Sequence, residues 1–189
     1  PAWNKPVLSN NIIHYWSFDE DNGTIISDAG KNSVDINSTS WGIADLSDAN
    51  RSVWGVKGKA LRLNFTDANN TTALGVIPAE TFTFSAWLLP DENARIGPLV
   101  GGGGIRIGAD ITLQSTQNIG QRRQYIFGAG PFRSTDDHQW GHIAVVCSDS
   151  NRTLFVDGFI TNAADGNTAA GGDLAIDGFN GLIDEVYIY

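Results

Sequence analysis

Seven oxygen-bearing side chains fall in three short stretches that could do chemistry together. FDEDNG supplies Asp19, Glu20, Asp21 and Asn22, SDAGKN supplies Asp28 and Asn32, and the terminal GLIDEVYIY supplies Asp184. Carboxylate, amide and carbonyl oxygens are what a hard cation such as calcium takes, six to eight at a time. Asp184 stands out because, read with period two, Leu182, Asp184, Val186 and Ile188 fall on one strand face. A carboxylate in an apolar row is costly unless it is paired, hydrogen-bonded or metal-bound. Two readings stay open. Asp19, Asp28 and Asp184 could share one ion, or Asp19 and Glu20 could solvate a turn while Asp184 accepts hydrogen bonds from backbone or from an arginine. The spacing D-x-[DN]-x-[DN]-G of a calcium loop is absent, so no single loop makes a site.

Catalytic patterns are equally absent. A retaining glycosidase needs two carboxyls about 5–5.5 Å apart across the scissile bond. Glutamate occurs only at Glu20, Glu80, Glu92 and Glu185, and Asp184 and Glu185 are adjacent, which on a regular strand sends them to opposite faces. His14, His138 and His142 are scattered, there is no G-x-S-x-G elbow, and GGGG (101–104) lacks the Lys-Ser/Thr and helix of a phosphate loop. Catalysis is not expected.

Ligand candidates are the tryptophans and one basic stretch. Trp16, Trp87 and Trp140 lie in β-runs and are expected to pack in the core or on a sheet, whereas Trp41 lies in a loop and is the better exposed candidate. QRRQY (121–125) is unusual in so acidic a chain. Arg122, Arg123 and Tyr125, with Arg106, are expected to line a ligand surface, and arginine forks would suit acidic sugars.

These residues need a frame. The chain has 189 residues, 41% of them hydrophobic, and a formal net charge of −9. That fits one globular domain (11–189), with residues 1–10 as a linker or arm. The negative charge argues against nucleic acid, which needs a basic stripe. No apolar stretch approaches the roughly 20 residues of a membrane-spanning helix, so membrane insertion is not expected. The lone Cys147, in HIAVVCS, reads as a buried small hydrophobe. The start at PAWNKP suggests a fragment of a larger protein.

Short runs rich in β-branched and aromatic residues dominate: 12–20, 59–65, 81–89, 142–148, 152–158, 173–178 and 181–189. Gly, Asn and Asp bound them, and no window sustains a 3.6-residue period, so an all-β fold is expected with little helix. Asp157-Gly158 reads as a tight hairpin turn, and NAADGNTAAGGD (162–173) as a long polar connection. Alternation on both faces suggests two antiparallel sheets packed together.

The order YWSFDE, DAGKN, GKALRL, FTFSAWLLP, WGHIAVV, LFVDG, GLIDEVYIY resembles the laminin-G-like domains of the concanavalin A-like superfamily, most closely the bacterial LamG-type group. The resemblance runs from about Tyr15 to Tyr189. It implies a jelly-roll β-sandwich of two curved antiparallel sheets. It also implies a structural calcium ion near the paired first and last strands, which favours Asp19, Asp28 and Asp184 as its ligands. It implies a non-catalytic module that binds carbohydrate or polysaccharide, or one that mediates protein and cell-surface adhesion. Such modules sit beside neighbouring domains in secreted, extracellular or cell-surface proteins. Residues 91–139 depart most from the pattern and are where ligand specificity is expected.

Overall fold

The computed structural model describes residues 11–47, 52–64, 71–74, 81–90, 106–107, 110–112, 125–126, 140–148, 151–165, 175–177 and 180–189. The expected arm, 1–10, and the GGGG run lie outside them.

The regular structure of the described residues is strand, apart from a single 3-10 turn at Ser38–Trp41, and residues 11–47 are mostly irregular. In chain order the strands are β1 (His14–Trp16), β2 (Ile25–Ile26), β3 (Ile36–Asn37), β4 (Ser52–Trp54), β5 (Lys59–Asn64), β6 (Thr71–Ala73), β7 (Phe82–Pro90) and β8 (Arg106–Ile107). They continue as β9 (Asp110–Thr112), β10 (Tyr125–Ile126), β11 (Gly141–Ser148), β12 (Asn151–Val156), β13 (Phe159–Asp165), β14 (Ala175–Asp177) and β15 (Asn180–Ile188). Among the described residues an eight-stranded sheet runs β13-β12-β11-β7-β15-β5-β4, with β1 also paired to β15. A five-stranded sheet runs β10-β9-β8-β14-β6, and β2 and β3 form a small ribbon. Pairing is antiparallel except between β14 and β8, which run parallel, a departure from the purely antiparallel expectation.

Alternation builds the core. Phe82, Phe84, Ala86 and Leu88 of β7 stand opposite Cys147, Val145, Ile143 and Gly141 of β11. Phe84, Ala86 and Leu88 are almost fully buried, and each large apolar side chain so buried contributes about 1.5–3 kcal/mol. Leu61, Leu63, Ile183, Val186, Ile188 and Trp16 complete that sheet face, packed against Ile26, Ile36, Trp41, Ile43, Leu46 and Leu74. Cys147 is buried there, as its strand context suggests.

The Asp157-Gly158 turn forms as read. Both residues have positive φ (49° and 81°), which a two-residue hairpin of this twist requires. The Asp157 carboxylate also accepts the His142 N–H at 2.8 Å, tying the turn to β11. The polar connection proves shorter than expected, because residues 162–165 continue β13.

β15 does not keep period two. Asp184 stands opposite Trp87, but the next pair is Tyr187 opposite Ser85, so Glu185 and Val186 together face one residue of β7. This is a β-bulge, and Glu185 takes the unusual φ of 49° within it. The bulge reverses the phase of the strand. Leu182 and Asp184 lie on the outer face, while Val186 and Ile188 join the core. The apparent row of Leu182, Asp184, Val186 and Ile188 is therefore split between two faces.

Candidate ligand-binding face

The three aspartates expected to share a cation each accept backbone N–H groups. Asp28 lies beside β1. Its Oδ1 accepts the N–H of Tyr15 (2.8 Å) and of Gly30 (2.7 Å), and its Oδ2 accepts the N–H of Val34 (2.8 Å). Nδ1 of His14 lies 2.6 Å from the same Oδ2. The His14 ring in turn stacks on Trp16, with centroids 5.3 Å apart. Gly30 is required here, because a Cβ would fall 2.5 Å from the Ile13 carbonyl. Asp184 is fully buried beneath the turn joining β4 and β5. Its Oδ2 accepts the Lys57 N–H at 3.0 Å and its Oδ1 the Glu185 N–H at 2.8 Å. Burial nevertheless pushes its carboxyl up to about 7, against the N–H groups of Lys57, Glu185 and Val56 and with help from the Glu185 charge. Asp19 accepts the Lys59 N–H at 2.8 Å.

A calcium site does not fit these residues. Both oxygens of Asp28 and of Asp184, and Oδ1 of Asp19, face N–H donors, and N–H groups cannot ligate a cation. Among the described residues no group of three or more His, Cys, Asp and Glu is arranged to hold a metal. Oε2 of Glu20 has no hydrogen-bond partner among the described residues, and burial raises the pKa of its carboxyl, opposed by the Ser27 N–H. In this structure Asp19, Asp28 and Asp184, expected as calcium ligands, each accept backbone N–H groups, which for Asp184 is the hydrogen-bonded role that the sequence left open. Treatment with EDTA is expected to leave the urea unfolding midpoint unchanged. A fall reversed by added calcium would point to a site these side chains do not explain.

Behind the bulge, Glu185 joins the two ends of the chain. Its carboxylate accepts the Tyr15 hydroxyl and the Tyr187 hydroxyl, each at 2.6 Å. The Lys57 ammonium lies 3.5 Å from Oε2. The rings of Tyr15 and Tyr187 stack with centroids 4.5 Å apart, and Tyr189 continues the stack at 5.9 Å. Burial, reinforced by Glu185, raises both phenol pKa values above the ordinary range. These phenols stay protonated at neutral pH and serve as donors, so the cluster is a clamp rather than an acid–base pair.

The outer face of the large sheet is covered at Asp184 by the β4–β5 turn and opens towards Val146 and Tyr189. Three successive rows cross it: His142, Trp87 and Asp184; then Ala144, Ser85, Tyr187 and Tyr15; then Val146, Thr83 and Tyr189. Trp87 and His142 tilt against each other with ring centroids 5.1 Å apart. Burial lowers the His142 pKa, opposed by Asp157, so the imidazole is neutral beside the indole. Half-buried Trp87 and Tyr187 and the exposed Tyr189 therefore edge a shallow strip floored by Thr83, Ser85 and Ala144.

Trp16 packs in the core and Trp87 on the sheet as expected, whereas Trp41 does not sort as expected. Trp41 is 7% exposed and belongs to the core. The 3-10 turn that carries it folds back over the sheet, so the expectation of an exposed loop ring is corrected. Trp54 is 85% exposed instead, because β4 is an edge strand with no neighbour beyond it among the described residues. Its position before GVKGK held no hint of that. Arg122 and Arg123 lie outside the described residues. Arg106 and Tyr125 are placed by backbone only, on β8 and β10. Arg106 is level with Thr112 and Tyr125 with Ile111, so the two fall in rows of opposite phase, on opposite faces of the five-stranded sheet, and do not line one surface as expected.

Two layers of short strands, a core between them and the chain ends paired in one sheet define a jelly-roll sandwich of the lectin type. The chain belongs to the Concanavalin A-like lectin/glucanases superfamily, whose Laminin_G_3 family profile matches residues 64–189. No curated protein matches the chain. Among solved structures it is similar to Trypanosoma rangeli sialidase in complex with 2,3-difluorosialic acid, at 18% identity and a TM-score of 0.51, covering 97% of this chain and 31% of that one. A crystal structure of an HCR/D mutant is similar at 10% identity and a TM-score of 0.53, covering 95% of this chain and 48% of that one. The chain thus spans half or less of these structures, and at such identities the likeness is one of fold.

Proposed function

We propose that the chain is a non-catalytic carbohydrate-binding module of a secreted, multidomain protein. The observation that carries this reading is the strip of Trp87, Tyr187 and Tyr189 on the open face of the large sheet. Sugar rings present C–H faces that pack on aromatic rings, and hydroxyls that need a few fixed polar groups nearby. Ser85 and Ala144, between the rings, carry small side chains. The two carboxylates nearest the strip, Asp184 and Glu185, are buried and held by donors, so neither is presented to a glycosidic bond. Arg106, Arg122, Arg123 and Tyr125, in the divergent segment, remain our proposed determinants of which glycan is preferred. Calcium has no part in this reading.

A second reading, an adhesion module that contacts protein, is favoured by one feature. Phe159 and Ile160, at the tip of the β12–β13 hairpin, are 74% and 67% exposed. Affinity electrophoresis through soluble polysaccharides separates the two readings. The wild type should be retarded, and Trp87→Ala and Tyr189→Ala should each weaken retardation about 10-fold, the equivalent of about 1.4 kcal/mol. Retardation unchanged in both variants would remove the strip from recognition. No retardation of the wild type by any polysaccharide would favour the adhesion reading.

A further inference from the structure

Trp54 stands on β4, directly opposite Lys59 of β5. Its indole is 85% exposed, a rare state for so large an apolar surface. The Lys59 ammonium forms an ion pair with Asp21 Oδ1 at 2.5 Å, and the Asp21 side chain is 84% exposed. Lys59 lowers the Asp21 pKa, first by the hydrogen bond and then by its charge. The hairpin beneath is fixed in place. Asp19 accepts the Lys59 N–H at 2.8 Å, and Gly58, at φ 77°, packs against the Asp19 carboxylate where any side chain would collide. An exposed ring is therefore cross-strand partner to a positioned donor, one-third exposed, which in turn holds an exposed acceptor.

That combination selects among occupants. A protein partner docking on Trp54 would bury the Lys59–Asp21 pair at its rim, and desolvating an ion pair is costly. A sugar unit needs no such burial. Its C–H face covers the indole, while adjacent hydroxyls replace water on the ammonium and the carboxylate. Charge narrows the class further. Two carboxylates, Asp19 and Asp21, outnumber Lys59 here, and the chain carries −9 overall, which repels uronate and sulfate groups. We propose that Trp54, Lys59 and Asp21 form a subsite for one uncharged sugar unit of a polysaccharide. This rests on the carbohydrate-binding reading and adds to it a contact at the β4 edge, on strand positions that share the phase of core-facing Leu61 and Leu63 and so lie on the far side of the sheet from Trp87.

The test is affinity electrophoresis of the whole chain through laminarin and arabinan, both neutral, and alginate, which is anionic. The wild type should be retarded by a neutral polysaccharide. Trp54→Ala should weaken that retardation at least 5-fold and Asp21→Ala at least 3-fold, while Trp54→Tyr, which keeps a ring, stays within 3-fold of wild type. Both sites are solvent-exposed, so the unfolding midpoint should hold in all three variants. If Trp54→Ala and Asp21→Ala run as wild type while Trp87→Ala loses retardation, the subsite is refuted and the module's function stands. Retardation by alginate alone would overturn the assignment of an uncharged sugar. No retardation of the wild type in any of the three would overturn both.

Discussion

Replacing Asp28 by alanine is expected to destabilise the domain by about 3–5 kcal/mol, the cost of breaking a buried, hydrogen-bonded charge. Three backbone N–H groups, those of Tyr15, Gly30 and Val34, donate to this one carboxylate, and His14 approaches it as well. Without it the buried Tyr15 N–H has no acceptor, at about 1–3 kcal/mol, and the part-buried N–H groups of Gly30 and Val34 lose theirs. The loss also spreads. Asp28 joins β1 to the loop at residues 30–34, and the carbonyl of Val34 accepts the indole N–H of the fully buried Trp16 at 3.1 Å. Asp28→Asn keeps one acceptor oxygen but turns an amide against N–H donors, so it should recover less than half of the loss. Urea unfolding measures all of this. A loss below about 1 kcal/mol for Asp28→Ala, the worth of an ordinary hydrogen bond, would mean that the N–H groups find water or other partners.

The second large effect belongs to Asp184. Alanine there removes the acceptor for the Lys57 and Glu185 N–H groups beneath the β4–β5 turn and should cost about 3 kcal/mol, as two buried donors lose their partner. The same carboxyl gives stability a pH dependence. Its folded-state pKa of about 7 lies above the ordinary 3.8, chiefly through burial. Between those values the folded chain holds a proton that the unfolded chain has released. The contribution is therefore complete below pH 3.8 and disappears as pH rises through about 7, spanning at most about 4 kcal/mol. Glu20, also raised by burial, acts in the same direction. Wild-type stability should thus fall from about pH 5 to pH 7.5, and Asp184→Ala should flatten most of that slope. A slope that survives in Asp184→Ala would assign it to Glu20 or to other groups.

Much of the fold could be read from the sequence because strand alternation is a direct imprint of packing. TFTFSAWLL and HIAVVCS each place alternate residues against one core, and their bounds shift by only one residue at the ends. The bulge at Glu185 could not be read so simply. Strict period two across GLIDEVYIY misplaces its second half, and nothing in the letters announces that one residue is inserted. Two adjacent acids in an apolar strand were the available sign, since neither could join the core row. Asp28 shows a similar limit. DAGKN offers oxygens to a metal and also an acceptor to the backbone. The glycine two residues on, at a position where a Cβ would meet the Ile13 carbonyl, marks the backbone role. Exposure of single rings depends on what covers them. Trp41 is covered because its turn folds inward, and Trp54 is bare because its strand is an edge, and both are tertiary facts.

The open face and the bare edge ring can be tested together by following the indole N–H signals of the six tryptophans by NMR as laminarin or arabinan oligosaccharides are added. If sugar binds where the rings are exposed, the Trp87 and Trp54 signals shift with saturation. Those of Trp16 and Trp41, sealed in the core, stay in place. Saturable shifts confined to other tryptophans, or no shift of any indole with either sugar, would contradict sugar binding at the open face of this sheet.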